Sequence, residues 1–340
     1  MDLSAGKFWG MRRLADENGR WKMVAIDQRK PLMDPIARIR GVAEAPYEDL
    51  AAIKEVLAKH LAPQSSAMLL DPGYAYSRAI AHVPARRGLI MTLEEWQTKD
   101  TPGGKMSRDI PDWGVGKIRR LGADAVKLLV WYRHDAAESV RAHQQAWVRA
   151  AGEACARHDI VFLLEILVYP LPGEEAARFV AQRTGLVHQA VQDFLDPGFA
   201  VDIYKLEPPA SITGVPDPAG PQAARLQDSY DRMAAMLPRP WVLLSAGAGP
   251  ADFMRSLTYA YRANASGYLC GRAIWHDAFA HFPDLAALEK AVVAGSVPYM
   301  AELNALTDRA ALKWTDHPAW QGRLGLADAG PNFPARYRDA

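Results

Sequence analysis

Short apolar runs recur along the chain, and stretches with helical spacing separate them. The runs are Lys22–Asp27, Ala67–Asp71, Gly88–Thr92, Asp124–Trp131, Ile160–Val168, Val201–Leu206, Trp241–Ser245 and Gly267–Cys270. Between them, apolar residues fall three and four apart, as in Leu50, Ile53, Leu57 and Leu61 of Tyr47–His60. Ala136–His158, Glu174–Phe194, Ala223–Leu237, Pro250–Asn264 and Leu285–Ala294 repeat this spacing. Strands alternating with helices predict parallel βα units, and eight units predict one α/β domain, a closed (β/α)8 barrel. Residues 1–320 are assigned to the barrel. Residues 321–340 are polar, punctuated by Gly and Pro and without periodicity, so a C-terminal tail is expected there, ordered only if docked. Gln97–Trp113 and Pro208–Gln222 read as long loops after the third and sixth strands.

A period of two sorts each strand into a face toward the barrel axis and a face toward the helices. Met23, Ala25 and Asp27 share one face. So do Ala123, Ala125, Lys127 and Leu129; so do Val161, Leu163 and Glu165; so do Val201, Ile203 and Lys205. Each face is apolar until a charged residue late in the strand. Late positions lie at the C-terminal mouth of a barrel, where active sites form. Burying an unpaired charge costs several kcal/mol, on the order of the known penalties for buried ions, so four such strands predict an assembled site. Two lysines and carboxylates on separate strands suit amine-based covalent chemistry on a carbonyl.

Composition narrows the alternatives. A net charge of +1 provides no electrostatic footprint for nucleic acid or an anionic membrane. No apolar run approaches membrane-spanning length, and the first residues do not read as a signal peptide, so a cytoplasmic protein is expected. Cys155 and Cys270 lack CxxC neighbours and are expected to be buried free thiols. None of the nine histidines has HxH or HExxH spacing, so no metal site and no cofactor is expected. His276 reads as a helix-start or surface residue.

Six strings carry a resemblance. They are Ala25-Ile-Asp-Gln-Arg29, Leu69-Leu-Asp-Pro-Gly-Tyr74, Ala123-Asp-Ala-Val-Lys-Leu-Leu129, Phe162-Leu-Leu-Glu165 with Val168-Tyr-Pro170, Trp241-Val-Leu-Leu-Ser-Ala-Gly247, and Ala265-Ser-Gly-Tyr-Leu-Cys-Gly-Arg-Ala-Ile-Trp275. In this order, between about Met23 and Trp314, they resemble the tagatose 1,6-bisphosphate aldolase family, which includes sulfofructose-1-phosphate aldolases. The resemblance implies a (β/α)8 barrel and a class I, Schiff-base aldolase. It implies that Lys205 is the nucleophile and that Glu165 shuttles protons, with a raised carboxyl pKa. Lys127 is expected to be a second cation that favours a neutral Lys205, and Asp27 to orient hydroxyls or Lys205. Tyr169 could reach the mouth.

Ser245, Gly247, Gly271 and Arg272 end the last two strands and are expected to hold the ketose C1 phosphate through backbone N–H groups and a guanidinium. Gln28 and Arg29 follow the first strand, with Arg29 placed to grip a distal phosphate or sulfonate. The expected ligand is a phosphorylated or sulfonated sugar, and a homo-oligomer is expected. A 6-deoxy-6-sulfofructose 1-phosphate aldolase is the alternative within the class, and a non-catalytic sugar-phosphate-binding barrel the alternative outside it.

Overall fold

The structure is a computed structural model that describes residues 2–337. Its eight central strands are β1 (Trp21–Ala25), β2 (Ala67–Leu70), β3 (Gly88–Thr92), β4 (Ala125–Trp131), β5 (Val161–Leu167), β6 (Ile203–Leu206), β7 (Trp241–Leu243) and β8 (Gly267–Cys270). All pair in parallel with their sequence neighbours, and β8 pairs with β1 to close a barrel. The eight predicted strands are therefore found in the predicted order.

Within the strands the inward faces are those given by the period of two, but Ala123 and Val201, which precede β4 and β6, pack with the outward cluster instead of the axial one. Met23, Ala25, Leu69, Ile90, Ala125, Val161, Leu163, Ile203, Val242 and Leu269 form one buried cluster along the axis. The alternate residues, among them Val24, Met68, Met91, Val126, Phe162, Leu164 and Tyr204, pack outward against the helices. The six predicted helices are present as Tyr47–Leu61, Glu138–Arg157, Ala176–Gln192, Ala223–Met236, Pro250–Arg262 and Leu285–Ala291.

Several elements depart from the expectation. A helix, Ala5–Leu14, lies across the N-terminal end of the barrel, and Met11 and Leu14 join the axial cluster there. Its approach is close: a Cβ at Gly10 would sit 2.7 Å from the carbonyl oxygen of Asp124 and from Val161 Cγ2. The loop after β1 becomes a helix, Lys30–Arg40. Pro31 at its first turn forfeits no helical hydrogen bond, and Leu32 and Ile36 fasten it to the core. The loop after β3 contains an antiparallel hairpin, Lys99–Thr101 with Gly104–Met106.

The tail is docked through residue 337. Gly325–Leu326 pairs in parallel with Asp2–Leu3, and the Tyr337 hydroxyl donates to Asp159 Oδ2 at 2.7 Å. The remaining tail positions, 338–340, lie outside the described residues. Cys155 and Cys270 are buried free thiols. Among the described residues no helix is long and apolar enough to cross a membrane.

Candidate active site

One rung above the apolar filling, the inward face turns ionic. β5 and β6 are in register at Glu165 and Lys205, and β3 and β4 at Thr92 and Lys127. Lys205 Nζ lies 2.8 Å from Glu165 Oε2, and Lys127 Nζ lies 2.9 Å from the same oxygen. Lys127 also meets Asp27 Oδ2 at 2.9 Å and Glu94 Oε1 at 2.6 Å. Thr92 Oγ1 donates toward both of these carboxylates, and the Leu129 amide donates to Glu94 Oε2 at 3.1 Å. All five charged side chains are buried.

The electrostatics correct one expectation, that of a raised Glu165 carboxyl. Burial pushes the Glu165 carboxyl up, but Lys127 and Lys205 outweigh it and hold the group below the ordinary carboxylate range rather than above. Asp27 behaves likewise: burial opposes Lys127, Lys205 and Arg29, which together hold it far below that range. Burial would lower Lys127, yet Asp27, Glu165 and Glu94 raise it well above the usual ammonium range. Lys127 is thus a permanent cation that sustains the carboxylates around it. Its charge is directed first at them.

Above this layer opens a cavity of about 570 Å3. Asp27, Gln28, Arg29, Lys127, Glu165, Lys205 and Arg272 line it, so the strand-end residues singled out in the sequence converge on one space. Ser245, Gly247 and Gly271 do not line the cavity, although Gly247 approaches the Arg272 guanidinium and Gly271 precedes Arg272 in the chain. A Cβ at Gly247, whose φ is +91°, would come within 3.2 Å of the Arg272 guanidinium. At Gly271 a Cβ would lie 2.9 Å from Gln28 Nε2. The helix Arg272–Phe279 starts at Gly271 and has no side-chain cap. Among the described residues, Arg272 has neither a hydrogen-bond partner nor an ion-pair partner. Burial lowers its pKa, and Glu165 and Asp27 pull it back only in part.

Arg29 is placed differently from its expected role. Its Nη1 donates to the carbonyl of Glu94 at 2.9 Å and its Nη2 lies 3.5 Å from Glu94 Oε1. The guanidinium is buried and engaged within the ionic layer. Tyr169, unlike Arg29, does not line the cavity: its hydroxyl accepts the Lys105 amide at 2.8 Å and anchors the hairpin. His276 is an exposed residue within the last strand's helix.

Two buried carboxylates escaped the sequence reading. Glu94 lies two residues past Thr92, and continuing the period of two beyond the end of β3 would have exposed it. Glu207 lies two residues past Lys205. It accepts the Val168 amide at 2.7 Å and pairs with Arg183 Nη2. Burial nonetheless pushes its carboxyl up to about 7, against Arg183 and the Val168 amide.

The family model described as DeoC/LacD family aldolase matches residues 22–277. A tagatose 1,6-diphosphate aldolase 1 of Streptococcus mutans is 31% identical over 283 residues, covering 81% of this chain and 86% of the relative. A tagatose 1,6-diphosphate aldolase of Listeria monocytogenes is 29% identical over 333 residues, covering 91% and 98%. The barrel also resembles a Plasmodium falciparum fructose-bisphosphate aldolase at TM-score 0.63 and 13% identity, covering 92% of this chain and 98% of that one. A Schiff-base-forming fructose-1,6-bisphosphate aldolase aligns at TM-score 0.56 and 13% identity, covering 88% and 99%. Eight parallel strands, a buried lysine–carboxylate layer at their C-terminal ends and these matches agree, and the chain belongs to the DeoC/LacD family of aldolases.

Proposed function

We propose that this chain is a class I aldolase that cleaves a ketose 1-phosphate or 1,6-bisphosphate, such as tagatose 1,6-bisphosphate, to dihydroxyacetone phosphate and an aldehyde. The observation that carries the reading is the buried 2.8 Å contact between Lys205 Nζ and Glu165 Oε2 at the floor of the cavity. An amine there attacks the ketose C2 carbonyl. The ammonium proton passes to Glu165, which is charged and within hydrogen-bond reach.

Formation of the neutral carbinolamine removes one of the two cations that hold Glu165 low, so its affinity for a proton rises at that moment. A second proton moves from the nitrogen to the C2 oxygen to give the carbinolamine hydroxyl; Glu165 then protonates that hydroxyl, which leaves as water, and the iminium forms. As a carboxylate again, Glu165 takes the C4 hydroxyl proton. The C3–C4 bond breaks, its electron pair moves to the iminium to form an enamine, and the aldehyde leaves. Protonation of the enamine at C3 and hydrolysis by water release dihydroxyacetone phosphate and free Lys205.

Lys127 holds Glu165, Asp27 and Glu94 charged and in place throughout. Asp27 orients the substrate hydroxyls. Gln28 lines the same space, and among the described residues its Oε1 is buried without a partner. Arg272, with the backbone around Ser245, Gly247 and Gly271, takes the C1 phosphate, since an unpaired guanidinium beside an uncapped helix start favours an anion.

Borohydride with dihydroxyacetone phosphate tests the covalent step: the adduct is expected on Lys205 by peptide mapping, and modification elsewhere overturns the assignment. EDTA is expected to leave the rate unchanged, because the iminium is the electron sink. The same reading includes a homo-oligomer in the cytoplasm, and light scattering on the purified protein checks the assembly.

A further inference from the structure

One buried carboxylate just past the end of β6 takes no part in the steps above. Asp27, Glu94 and Glu165 share Lys127. Glu207 draws its cation from the helix layer instead: Arg183, on the helix Ala176–Gln192, donates from Nη2 to Glu207 Oε2. Glu207 is buried and does not line the cavity, so any effect it has on a substrate passes through another group. Its second oxygen meets the framework of the site. The last backbone pair between β5 and β6 is Ile166 with Leu206, one residue past Glu165 with Lys205. Beyond that pair, Glu207 Oε1 accepts the Val168 amide at 2.7 Å and ties the two strand ends together. Glu94 makes the same kind of tie between β3 and β4, where it accepts the Leu129 amide. Arg183 extends the Glu207 tie into the loop after β6. Its Nε donates to the Ala210 carbonyl at 3.0 Å, while Thr184 Oγ1 and Ser229 Oγ donate to the Pro209 carbonyl at 2.9 and 3.0 Å.

We infer that Glu207, held by Arg183, is a positioning residue: it fixes the ends of β5 and β6 against each other and so keeps Lys205 Nζ on Glu165 Oε2. This rests on the class I reading above, in which that 2.8 Å contact serves the proton transfers. The two groups stand on neighbouring strands, so a slide or splay of either strand end changes their separation directly. Proton transfer needs roughly 2.6–3.2 Å between heavy atoms, which leaves little room for such a change. A carboxylate suits the task because it accepts an N–H from each side, and the bond to a guanidinium is charge-assisted. The other end of the same strand pair carries a matching staple. There Asp202 Oδ2 accepts the Phe162 amide at 2.8 Å and pairs with Lys7 Nζ at 2.7 Å. Both staples hold β6 to β5 through a carboxylate and a cation, but only the upper one lies next to the reacting pair.

The test sets Glu207→Gln against Asp202→Asn. Each variant keeps an oxygen for the β5 amide and loses the charge that faces the cation. kcat and KM for tagatose 1,6-bisphosphate are measured below each variant's unfolding transition, together with the rate at which borohydride traps dihydroxyacetone phosphate on Lys205. Glu207→Gln is expected to lower kcat and the trapping rate together, by roughly tenfold to a hundredfold with KM little changed, as for a misplaced reacting pair. Asp202→Asn is expected to leave kcat of the folded enzyme at the parent value. Arg183→Ala should reproduce the loss and Arg183→Lys recover part of it. The Glu207→Gln/Arg183→Ala double variant should be no worse than the worse single one, because both break the same tie. Parent kcat in Glu207→Gln, equal losses in Glu207→Gln and Asp202→Asn, or a rise in KM alone overturns the positioning role. If Glu207→Gln does not fold, the Arg183 variants decide, and parent kcat in Arg183→Ala overturns the role. A parent enzyme that gives neither turnover nor adduct overturns the aldolase reading itself.

Discussion

The two ends of the barrel are built from the same alternating strands and answer opposite demands. At the N-terminal end the axis is closed by carbon. Met11 and Leu14 from the first helix meet Trp21, Trp314 and Trp320. Trp21 and Trp314 stack at 6.3 Å, and Trp320 meets Trp314 edge-on at 6.4 Å. The charges at this end sit on the rim in pairs, Lys7 with Asp202 and Arg13 with Asp124, or cap the helix start, as Asp159 does for the Gly6 and Lys7 amides. At the C-terminal end the same inward positions carry two ammonium groups and three carboxylates. Buried ion pairs seldom stabilise more than the apolar residues that would replace them. One end is thus arranged for stability, and the other holds charge at some cost to stability for the sake of chemistry.

The sharpest way to break this contrast is at Lys205. Lys205→Ala is expected to lower kcat/KM at least about a thousandfold, because the covalent route is gone. Glu165 keeps its contact with Lys127, so the thermal midpoint should stay level or rise. A large drop in both would mean that the mouth also carries the fold.

Next come two substitutions of similar cost and different consequence. Trp314→Ala opens a void in the closed end and is expected to cost about 3–5 kcal/mol in denaturant unfolding, with kcat of the folded fraction unchanged. Lys127→Met leaves Asp27, Glu94 and Glu165 facing one another without their shared cation, also about 3–5 kcal/mol. Here activity should fall too, and the missing charge should appear as proton uptake by the carboxylates.

The ends also differ in the sign of their pH response. His317, buried beside Trp314 and Trp320, is held by burial down to about 4. Between its unfolded pKa of 6.5 and that value only the unfolded chain takes the proton, so stability is lost as pH falls through this window. Glu207 is pushed up to about 7. Between 4.5 and 7 only the folded chain keeps the proton, so its contribution to stability is lost as pH rises. Each shift corresponds to at most about 3.5 kcal/mol. His317→Gln should flatten the loss of stability on the acid side of the profile, and Glu207→Gln the loss of stability as pH rises toward neutrality. Unfolding at a series of pH values reads both, and identical profiles in parent and variants would remove the distinction.

The smallest expected effect is Tyr169→Phe. It removes the acceptor of the Lys105 amide and loosens the hairpin, at about 1 kcal/mol. Hydrogen exchange at residues 99–106 reads it directly.

The sequence by itself determined the barrel and the floor of the site. Strand periodicity is local, and a charge on an otherwise apolar inward face is visible wherever it falls; hence Asp27, Lys127, Glu165 and Lys205 could be named before any fold was known. Glu94 was legible in principle by the same rule, one step past an assumed strand end. Tertiary structure alone decided what each charge does. Lys127 touches three carboxylates brought by β1, β3 and β5, so the direction of the Glu165 shift depends on distances between residues dozens of positions apart. It also decided that Arg29 turns inward to Glu94, and that the first helix and residues 312–326 seal the far end. Those outcomes depend on which long-range partner reaches a group first. A pattern of apolar and polar positions encodes which face a residue takes, and packing then determines which neighbour it meets there.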